Sequence, residues 1–152
     1  MFRFSRIFAF FAVISAGCMP VFADDAKEID SVTVLADARL AVPLSELASR
    51  FAQQSMISVA GSFGVSADQK KKIEDGESAD LFITSDPALI EQLKIKGLVD
   101  VYSIQEIARS KTAHFTAAIV AGENMTPARN FLAYLKTTES RKILFANGLT
   151  AP

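Results

Sequence analysis

Residues 57–86, ISVAGSFGVSADQKKKIEDGESADLFITSD, decide the fold class of this chain. They read as a short apolar strand, a loop of small residues at 61–66, a polar helix that ends at Gly76, and a second apolar strand over 79–84. A strand that passes through a loop into a helix leaves free backbone N–H groups at the start of that helix. The loop at 61–66 is therefore a candidate anion site.

The sequence on either side continues this alternation of strands and helices. Residues 31–36 are a β-branched apolar run, and helices are predicted over 43–54 and 87–97. This order predicts a three-layer α/β sandwich, with a mostly parallel central sheet flanked by helices. In such sheets ligands bind beyond the carboxyl ends of the strands. The loops at those ends are 36–40, 61–66 and 84–86.

The second half of the chain is expected to complete the same domain. The pattern predicts a short helix over 103–110, a strand over 115–121, and two helices that begin near Thr126 and Thr138. No linker, repeat or low-complexity tract separates these elements. We therefore expect residues 24–152 to form a single α/β domain.

The first 23 residues are predicted to be a secretory signal peptide. Arg3 and Arg6 precede an apolar run over 7–16 that is too short to span a membrane comfortably, and small residues mark a cleavage site that ends at Ala23. We therefore expect a periplasmic protein. The alternatives are a retained N-terminal anchor, or a lipid anchor at Cys18, whose sequence context resembles a lipoprotein box.

Composition limits the classes of partner. Half of the 152 residues are hydrophobic, which is enough to bury one core. Without Arg3 and Arg6, the 16 basic residues become 14 against 17 acidic ones, so the formal charge of the mature chain is near −3. This charge argues against nucleic acid or an anionic membrane as a partner. A bound anion would have to be held by a local site.

Two serines give that local site a chemistry. The hydroxyls of Ser62 and Ser66, with N–H groups at a helix start, are donors suited to a tetrahedral oxyanion. The alternative is that Ser66 only caps its helix, with Gln69 completing a capping box. The run 70–72 of three lysines is expected to be a solvated helix face.

No catalytic or metal-binding pattern accompanies these serines. His114 is the only histidine, and no His, Cys or carboxylate cluster has the spacing of a metal site. A nucleophile elbow, a phosphate-binding loop and a dinucleotide fingerprint are all missing from the sequence. We therefore expect no enzymatic activity, no metal and no cofactor.

Several segments of the chain resemble the periplasmic molybdate-binding proteins of ABC transporters. They are VTVLADARL at 32–40, GSFGVS at 61–66, KIEDGESADLFITSD at 72–86, NFLAYLK at 130–136 and the closing residues 141–152. The resemblance covers about 31–102 and 115–152. It implies one lobe of a type 2 periplasmic binding protein, a fold whose two lobes close on molybdate or tungstate. Residues 103–114 are then a short bridge in place of the second lobe, because a dozen residues cannot build another α/β lobe.

The resemblance also implies ligand positions. The serine of the first loop, in a pattern like A-A-A-S-L, falls at Arg39, and the serine of the second loop, in a pattern like S-F-x-S-S, falls at Ser66. Arg39 would add positive charge to an anion site, or it could instead fill the cleft or pair with Asp37.

The expected function is that of a secreted solute-binding protein related to the molybdate-binding component of an ABC transporter. It would bind an oxyanion of the molybdate or tungstate class at Arg39, Ser62 and Ser66, weakly or in an altered way, and its expected partners are an ABC permease or a second subunit in a homodimer. The alternative is a single-lobe interaction protein that no longer captures a ligand and docks a partner or itself.

Overall fold

The computed structural model describes residues 30–152, so the predicted signal peptide and Cys18 lie outside the described residues. One sheet contains five strands, which are β1 (Ser31–Asp37), β2 (Ser58–Gly64), β3 (Leu81–Thr84), β4 (Gln105–Arg109) and β5 (His114–Ile119). Five helices surround it, which are α1 (Ala41–Ser55), α2 (Ser66–Glu74), α3 (Pro87–Ile95), α4 (Met125–Tyr134) and α5 (Thr138–Ala146). Within the described residues, no helix is both long enough and apolar enough to cross a bilayer.

The strands are arranged in the order β2-β1-β3-β5-β4. β1 pairs in parallel with both β2 and β3, whereas β5 pairs antiparallel with β3 and β4. The predicted three-layer α/β sandwich is confirmed, but the sheet predicted to be mostly parallel is mixed, with two parallel and two antiparallel pairings. The β4–β5 pairing is antiparallel because the turn at 110–113 joins these two strands directly, and so short a connection can only form a hairpin.

Alternating side chains of the strands supply the two faces of the sheet with separate cores. On one face, Val34 and its neighbours pack under α1, α4 and α5, in a cluster that includes the rings of Phe51, Phe131 and Tyr134. On the other face, Leu35 packs with side chains of α2 and α3 in a smaller cluster. The predicted apolar strands β1 and β3 are thus buried on both sides, whereas the edge strand β2 has no buried residue.

The residues at the start of α3 and at the C-terminal ends of α2 and α3 follow the ordinary rules of helix capping. Asp86 caps α3 by accepting a hydrogen bond from the Ala88 N–H at 3.0 Å, and Pro87 occupies the first turn. Gly76 and Gly97 follow α2 and α3 with φ values of 83° and 69°, a left-handed conformation that glycine adopts without steric cost. Both predicted helix ends are confirmed.

The predicted helix over 103–110 is wrong. A 3₁₀ turn covers Val101–Ser103, and the following residues form the edge strand β4, in which Ile107 and Ala108 are buried. Pairing with β5 decides this outcome, because local helix propensity is a weak preference that tertiary pairing overrides.

The predicted loop at 61–66 is also shorter than expected. β2 continues to Gly64, with Gly61 opposite Val34 and Gly64 opposite Asp37, so Val65 alone separates this strand from α2. The backbone pairing with β1 continues to the last residue of that strand, and the glycines do not interrupt it. Ser62 therefore lies within a strand and not in a loop.

Four segments meet at the edge of the sheet where the parallel strands end, which we call the carboxyl edge. They are the 3₁₀ turn Ala38–Leu40 after β1, the β2–α2 junction at 64–66, the β3–α3 junction at 84–86, and the β4–β5 turn at 110–113. The last segment lies at this edge because β5 runs antiparallel to β3 and begins where β3 ends.

Candidate ligand-binding site

Asp37, the last residue of β1, is the centre of a polar cluster at the carboxyl edge. Its side chain is buried, with the residue only 8% exposed. Arg39 donates to Oδ1 from its backbone N–H at 3.0 Å and from Nε at 2.9 Å, and to Oδ2 from Nη2 at 2.8 Å. The 3₁₀ turn brings the guanidinium back over the carboxylate two residues earlier in the chain.

Two serine hydroxyls from other segments reach the same carboxylate. Ser66, the first residue of α2, donates to Oδ2 of Asp37 at 3.2 Å, and Ser85, which follows β3, donates to it at 3.0 Å. Arg39 Nη2 also donates to the Ser85 hydroxyl. We call Asp37, Arg39, Ser66 and Ser85 the Asp37 cluster; it joins three segments of the carboxyl edge around one anion.

The electrostatics of the Asp37 cluster keep the carboxylate charged. Hydrogen bonding from the Arg39 guanidinium holds the pKa of Asp37 well below its ordinary value; burial opposes this effect, and the Arg39 N–H and the Ser85 hydroxyl add to it. The same ion pair raises the pKa of Arg39. The guanidinium stays accessible to solvent, because the Arg39 side chain is 53% exposed. Its Cζ also lies 5.2 Å from the centre of the Phe115 ring, within the range of a cation–π contact.

The structure shows which groups Arg39 and Ser66 contact. Of the arrangements open to Arg39, it adopts the pairing with Asp37. The predicted capping box is wrong, since Val65 is the N-cap residue of α2 and no side chain caps this helix. Because Ser66 lies one residue inside the helix, its hydroxyl turns to Asp37 instead of to the backbone.

Ser62, the third predicted site residue, lies in a different environment. Its hydroxyl accepts from Lys72 Nζ at 3.3 Å and from Gln69 Nε2 at 3.5 Å, and we call these three residues the Ser62 group. Gln69 is 3% exposed, and its Oε1 has no hydrogen-bond partner among the described residues. No hydrogen bond within residues 30–152 joins Ser62 to Asp37, Arg39, Ser66 or Ser85.

The three lysines at 70–72 do not all point to solvent. Lys71 pairs with Asp75 and has a side chain that is 69% exposed, as expected of a solvated face, whereas the side chain of Lys70 is only 16% exposed and bonds to Glu74 and Gln92. Lys72 is half-buried and turns toward the sheet, where it donates to Ser62. The prediction of a solvated face therefore holds for Lys71 and is wrong for Lys70 and Lys72.

Sequence reasoning missed two members of the Asp37 cluster as site residues. Asp37 was considered only as a partner of Arg39, although an acid that closes an apolar strand in the middle of a sheet is a strong signal of a buried carboxylate. Ser85 lies in the loop at 84–86, which was identified as a ligand-facing loop without a residue being chosen.

A third polar group lies beside the β4–β5 turn. Glu106 accepts from Arg109 and, at 3.0 Å, contacts His114 Nδ1, and its pKa is lowered first by the hydrogen bond from Arg109. All three side chains are partly exposed, so this group is an ordinary surface network. Across residues 30–152, no three His, Cys, Asp or Glu side chains are grouped so as to hold a metal ion.

The five-stranded sheet with helices on both faces has the fold of one lobe of a type 2 periplasmic binding protein. Comparison with solved structures supports this assignment of the fold. A substrate-binding domain assigned to a molybdenum ABC transporter of Clostridium difficile superposes with a TM-score of 0.74 and 10% identity, over 80% of this chain and 99% of that chain. The periplasmic molybdate-binding protein of Azotobacter vinelandii gives a TM-score of 0.68 and 13% identity, over 80% and 99%.

A third similar structure is the sulfate-binding protein SubI of Mycobacterium tuberculosis, with a TM-score of 0.70 and 14% identity, over 80% of this chain and 87% of that chain. At such identities the likeness shows the fold. Comparison with curated protein sequences gives no match.

The family is shown by the sequence itself. A family model described as bacterial extracellular solute-binding protein matches residues 32–114, which are more than half of the chain. The protein therefore belongs to this family of solute-binding proteins, and its fold is the one found in molybdate-binding relatives.

Proposed function

We propose that this protein is a single-lobe solute-binding protein that binds a small oxyanion of the molybdate or tungstate class at the carboxyl edge. The observation that carries this proposal is the convergence of Arg39, Ser66 and Ser85 on an anion, the carboxylate of Asp37. A guanidinium and two hydroxyls are donors suited to any small oxyanion, because they supply directed hydrogen bonds and a single compensating charge. Ser62 remains a further predicted contact.

The chemical class of the ligand rests on the fold and on the donor set. Two of the similar structures carry names that refer to molybdenum or molybdate and one to sulfate. In this chain the candidate donors lie beyond the ends of β1, β2 and β3, which is the general position of ligands in open α/β sheets.

The expected affinity is low for two physical reasons. One lobe presents an open face, so it buries little of a ligand and excludes little water. The Asp37 carboxylate also repels a dianion that shares its donors. A dissociation constant on the order of a millimolar, about −4 kcal/mol of binding free energy, is in line with these limits.

The single lobe is itself part of the proposal. Residues 31–102 and 115–152 contribute the helices and the strands β1, β2, β3 and β5, and residues 103–114 contribute only the edge strand β4 and the turn at 110–113. This turn lies at the carboxyl edge beside the candidate site. An insertion at that turn is where a second lobe would face the ligand, and here the turn closes as a hairpin, with the Ser110 N–H donating to the Ala113 carbonyl at 2.7 Å.

The proposed location is the periplasm, reached through cleavage of residues 1–23, and the proposed partner is an ABC permease. The family description of an extracellular protein supports export. A lipid anchor at Cys18 is the other means of reaching the same compartment.

Isothermal titration of residues 24–152 with molybdate, tungstate, sulfate and phosphate tests the proposal. We expect weak, saturable binding of at least one dianion, reduced at least about tenfold in Arg39→Ala and several-fold in Ser66→Ala and Ser85→Ala, since each removes one donor. Arg129→Ala is the matched control, because it removes an arginine that pairs with Asp100 and not with the Asp37 cluster. Absence of heat with all four anions at high protein concentration would refute capture by the wild-type protein.

A second candidate is an interaction role in which the carboxyl edge contacts a second copy of the chain or the permease. Exposed apolar side chains favour it, since Val42 at the start of α1 is 71% exposed and Val65 before α2 is 66% exposed. Light scattering of the mature chain tests self-association, and Val42→Ser with Val65→Ser should turn a dimer into a monomer. A monomer at all concentrations, with no binding to the permease in detergent, would exclude this role.

A further inference from the structure

We infer that the Asp37 carboxylate is a built-in occupant of the anion site, which an oxyanion must displace before it can use Ser66, Ser85 and the Nε and Nη2 donors of Arg39. The inference rests on the proposed function, because it concerns the same donors, and it identifies Asp37 as the residue that sets their affinity and selectivity. The ligand class is a tetrahedral dianion, and the competing group is one carboxylate of the chain itself.

The hydrogen bonds of Asp37 show that the site is already filled. The carboxylate accepts five hydrogen bonds, two on Oδ1 and three on Oδ2. An ionised carboxylate has about four lone-pair positions, so its capacity to accept is used completely. The Ser66 and Ser85 hydroxyls and the Nε and Nη2 side of the Arg39 guanidinium must release Asp37 before they can bind a ligand, whereas Arg39 Nη1 makes no hydrogen bond within residues 30–152.

The position of Asp37 explains why it competes instead of assisting. It is buried at the end of β1, an interior strand of the sheet, whereas Arg39 is half exposed and Ser66 and Ser85 are partly buried. An incoming dianion would approach the same hydroxyls from the solvent side while a fixed negative charge stays behind them. Arg39 is the only cation that hydrogen-bonds within the Asp37 cluster, and its charge is already shared with Asp37.

Asp37 and Arg39 form an ion pair whose two side chains can be replaced together. They lie two residues apart in ADARL at 36–40 and make a bidentate ion pair. Asp37→Ala vacates the space of the carboxylate and leaves Arg39 free. Asp37→Ala combined with Arg39→Ser removes both charges, leaves the net charge of the chain unchanged, leaves no unpaired charge behind, and gives AAASL at these positions.

Titration calorimetry with sodium molybdate and sodium sulfate on four forms of residues 24–152 tests the inference. The forms are the wild type, Asp37→Ala, Asp37→Ala/Arg39→Ser, and Asp75→Ala as the control for net charge. Asp75 lies at the far end of α2, where it pairs with Lys71 and makes no contact with the Asp37 cluster. Circular dichroism of each form checks that the fold is retained, and the double variant keeps the test informative where the single one does not fold.

We expect Asp37→Ala to bind molybdate about ten- to a hundredfold more tightly than the wild type, because a unit negative charge beside a dianion is removed. The double variant should bind more tightly than the wild type by a smaller factor, and Asp75→Ala should not differ from the wild type.

The outcomes separate this inference from the proposed function. Binding by the wild type with unchanged affinity in both Asp37 variants keeps the proposed function and overturns the inference. No binding by the wild type, with clear binding by either Asp37 variant, overturns the proposed function and keeps the inference. No binding by any folded form overturns both.

Discussion

The Asp37 cluster and the Ser62 group both include side chains of α2, but these side chains donate to different kinds of acceptor. Ser66 belongs to the first and Gln69 and Lys72 to the second, yet all three lie on α2. In the Asp37 cluster, donors from three segments surround one anion whose accepting capacity is full. In the Ser62 group, a cation and an amide share one serine hydroxyl, and the buried Gln69 Oε1 is left without a partner within residues 30–152. The two groups contain similar numbers of polar residues. They differ in the group that accepts the hydrogen bonds, which is a charged carboxylate in the Asp37 cluster and a neutral hydroxyl in the Ser62 group.

The largest effect on stability is expected at the centre of the Asp37 cluster. Asp37→Asn should lower the free energy of unfolding by about 1–3 kcal/mol, because an amide replaces a buried carboxylate whose partners include a guanidinium. Urea unfolding at pH 7 measures the loss, and Asp75→Asn on the exposed end of α2 is the control. A loss no larger than that of the control would mean that Asp37 contributes nothing beyond a surface ion pair.

The same substitution should remove a dependence of stability on pH. The folded protein holds the pKa of Asp37 below its ordinary value, which is about 3.9 in unfolded chains. The stabilisation from this carboxylate is therefore complete above about pH 5 and is lost as the pH falls through the folded pKa. The difference in unfolding free energy between wild type and Asp37→Asn should shrink as the pH is lowered from 7 toward 3. A difference that stays constant over this range would contradict the ion-pair account.

In the Ser62 group, removal of a polar side chain should leave the free energy of unfolding nearly unchanged or raise it. Gln69→Met removes both polar atoms of a buried amide, one of which is unpaired, and keeps a similar volume. We expect the free energy of unfolding to change by less than about 1 kcal/mol or to rise, because an unsatisfied buried acceptor costs about 1–3 kcal/mol. Thermal unfolding measures this, with Gln69→Ala as the comparison that leaves a cavity. A loss from Gln69→Met as large as that from Gln69→Ala would show that the amide is fully satisfied.

The smallest expected effects on the free energy of unfolding are those of replacing Ser62 and Ser66. Ser62→Ala should change stability by less than about 0.5 kcal/mol, because its hydrogen bonds of 3.3 and 3.5 Å are long and neither is to an anion. Ser66→Ala should cost about 1–2 kcal/mol, since it removes a hydrogen bond to a buried carboxylate. Titration of both variants with molybdate also tests the prediction that Ser62 is a ligand residue. Equal weakening by both would add Ser62 to the site.

Much of the fold could be predicted because its signals are local. The apolar runs of β1 and β3, the Pro and Gly residues at the helix ends, and the spacing of apolar residues in α1 each depend on neighbours in the sequence. β4 was missed because its strand conformation comes from pairing with β5, a contact that its own residues do not encode strongly. The continuation of β2 to Gly64 was missed for the same reason.

The site could be predicted only in part, because its geometry depends on register and side-chain direction. Arg39 and Ser66 follow from the family resemblance, and the structure brings both to Asp37. Ser62 lies four residues before Ser66, the first residue of α2, and the pleat of β2 turns its side chain to Gln69 and Lys72 instead of to the Asp37 cluster. The role of Asp37 depends on three segments that meet in space, which no single stretch of the sequence shows.

The most direct test of the central claim is the position of a heavy oxyanion in a crystal. Asp37→Ala crystals soaked in sodium tungstate should show an anomalous tungsten peak with its oxygens in hydrogen-bond range of the Ser66 and Ser85 hydroxyls, where the carboxylate of Asp37 lies in the wild type. Wild-type crystals under the same conditions should show a weaker peak at that position or none. A tungsten peak elsewhere on the protein, or equal occupancy at this position in both crystals, would contradict the claim that Asp37 occupies the anion site.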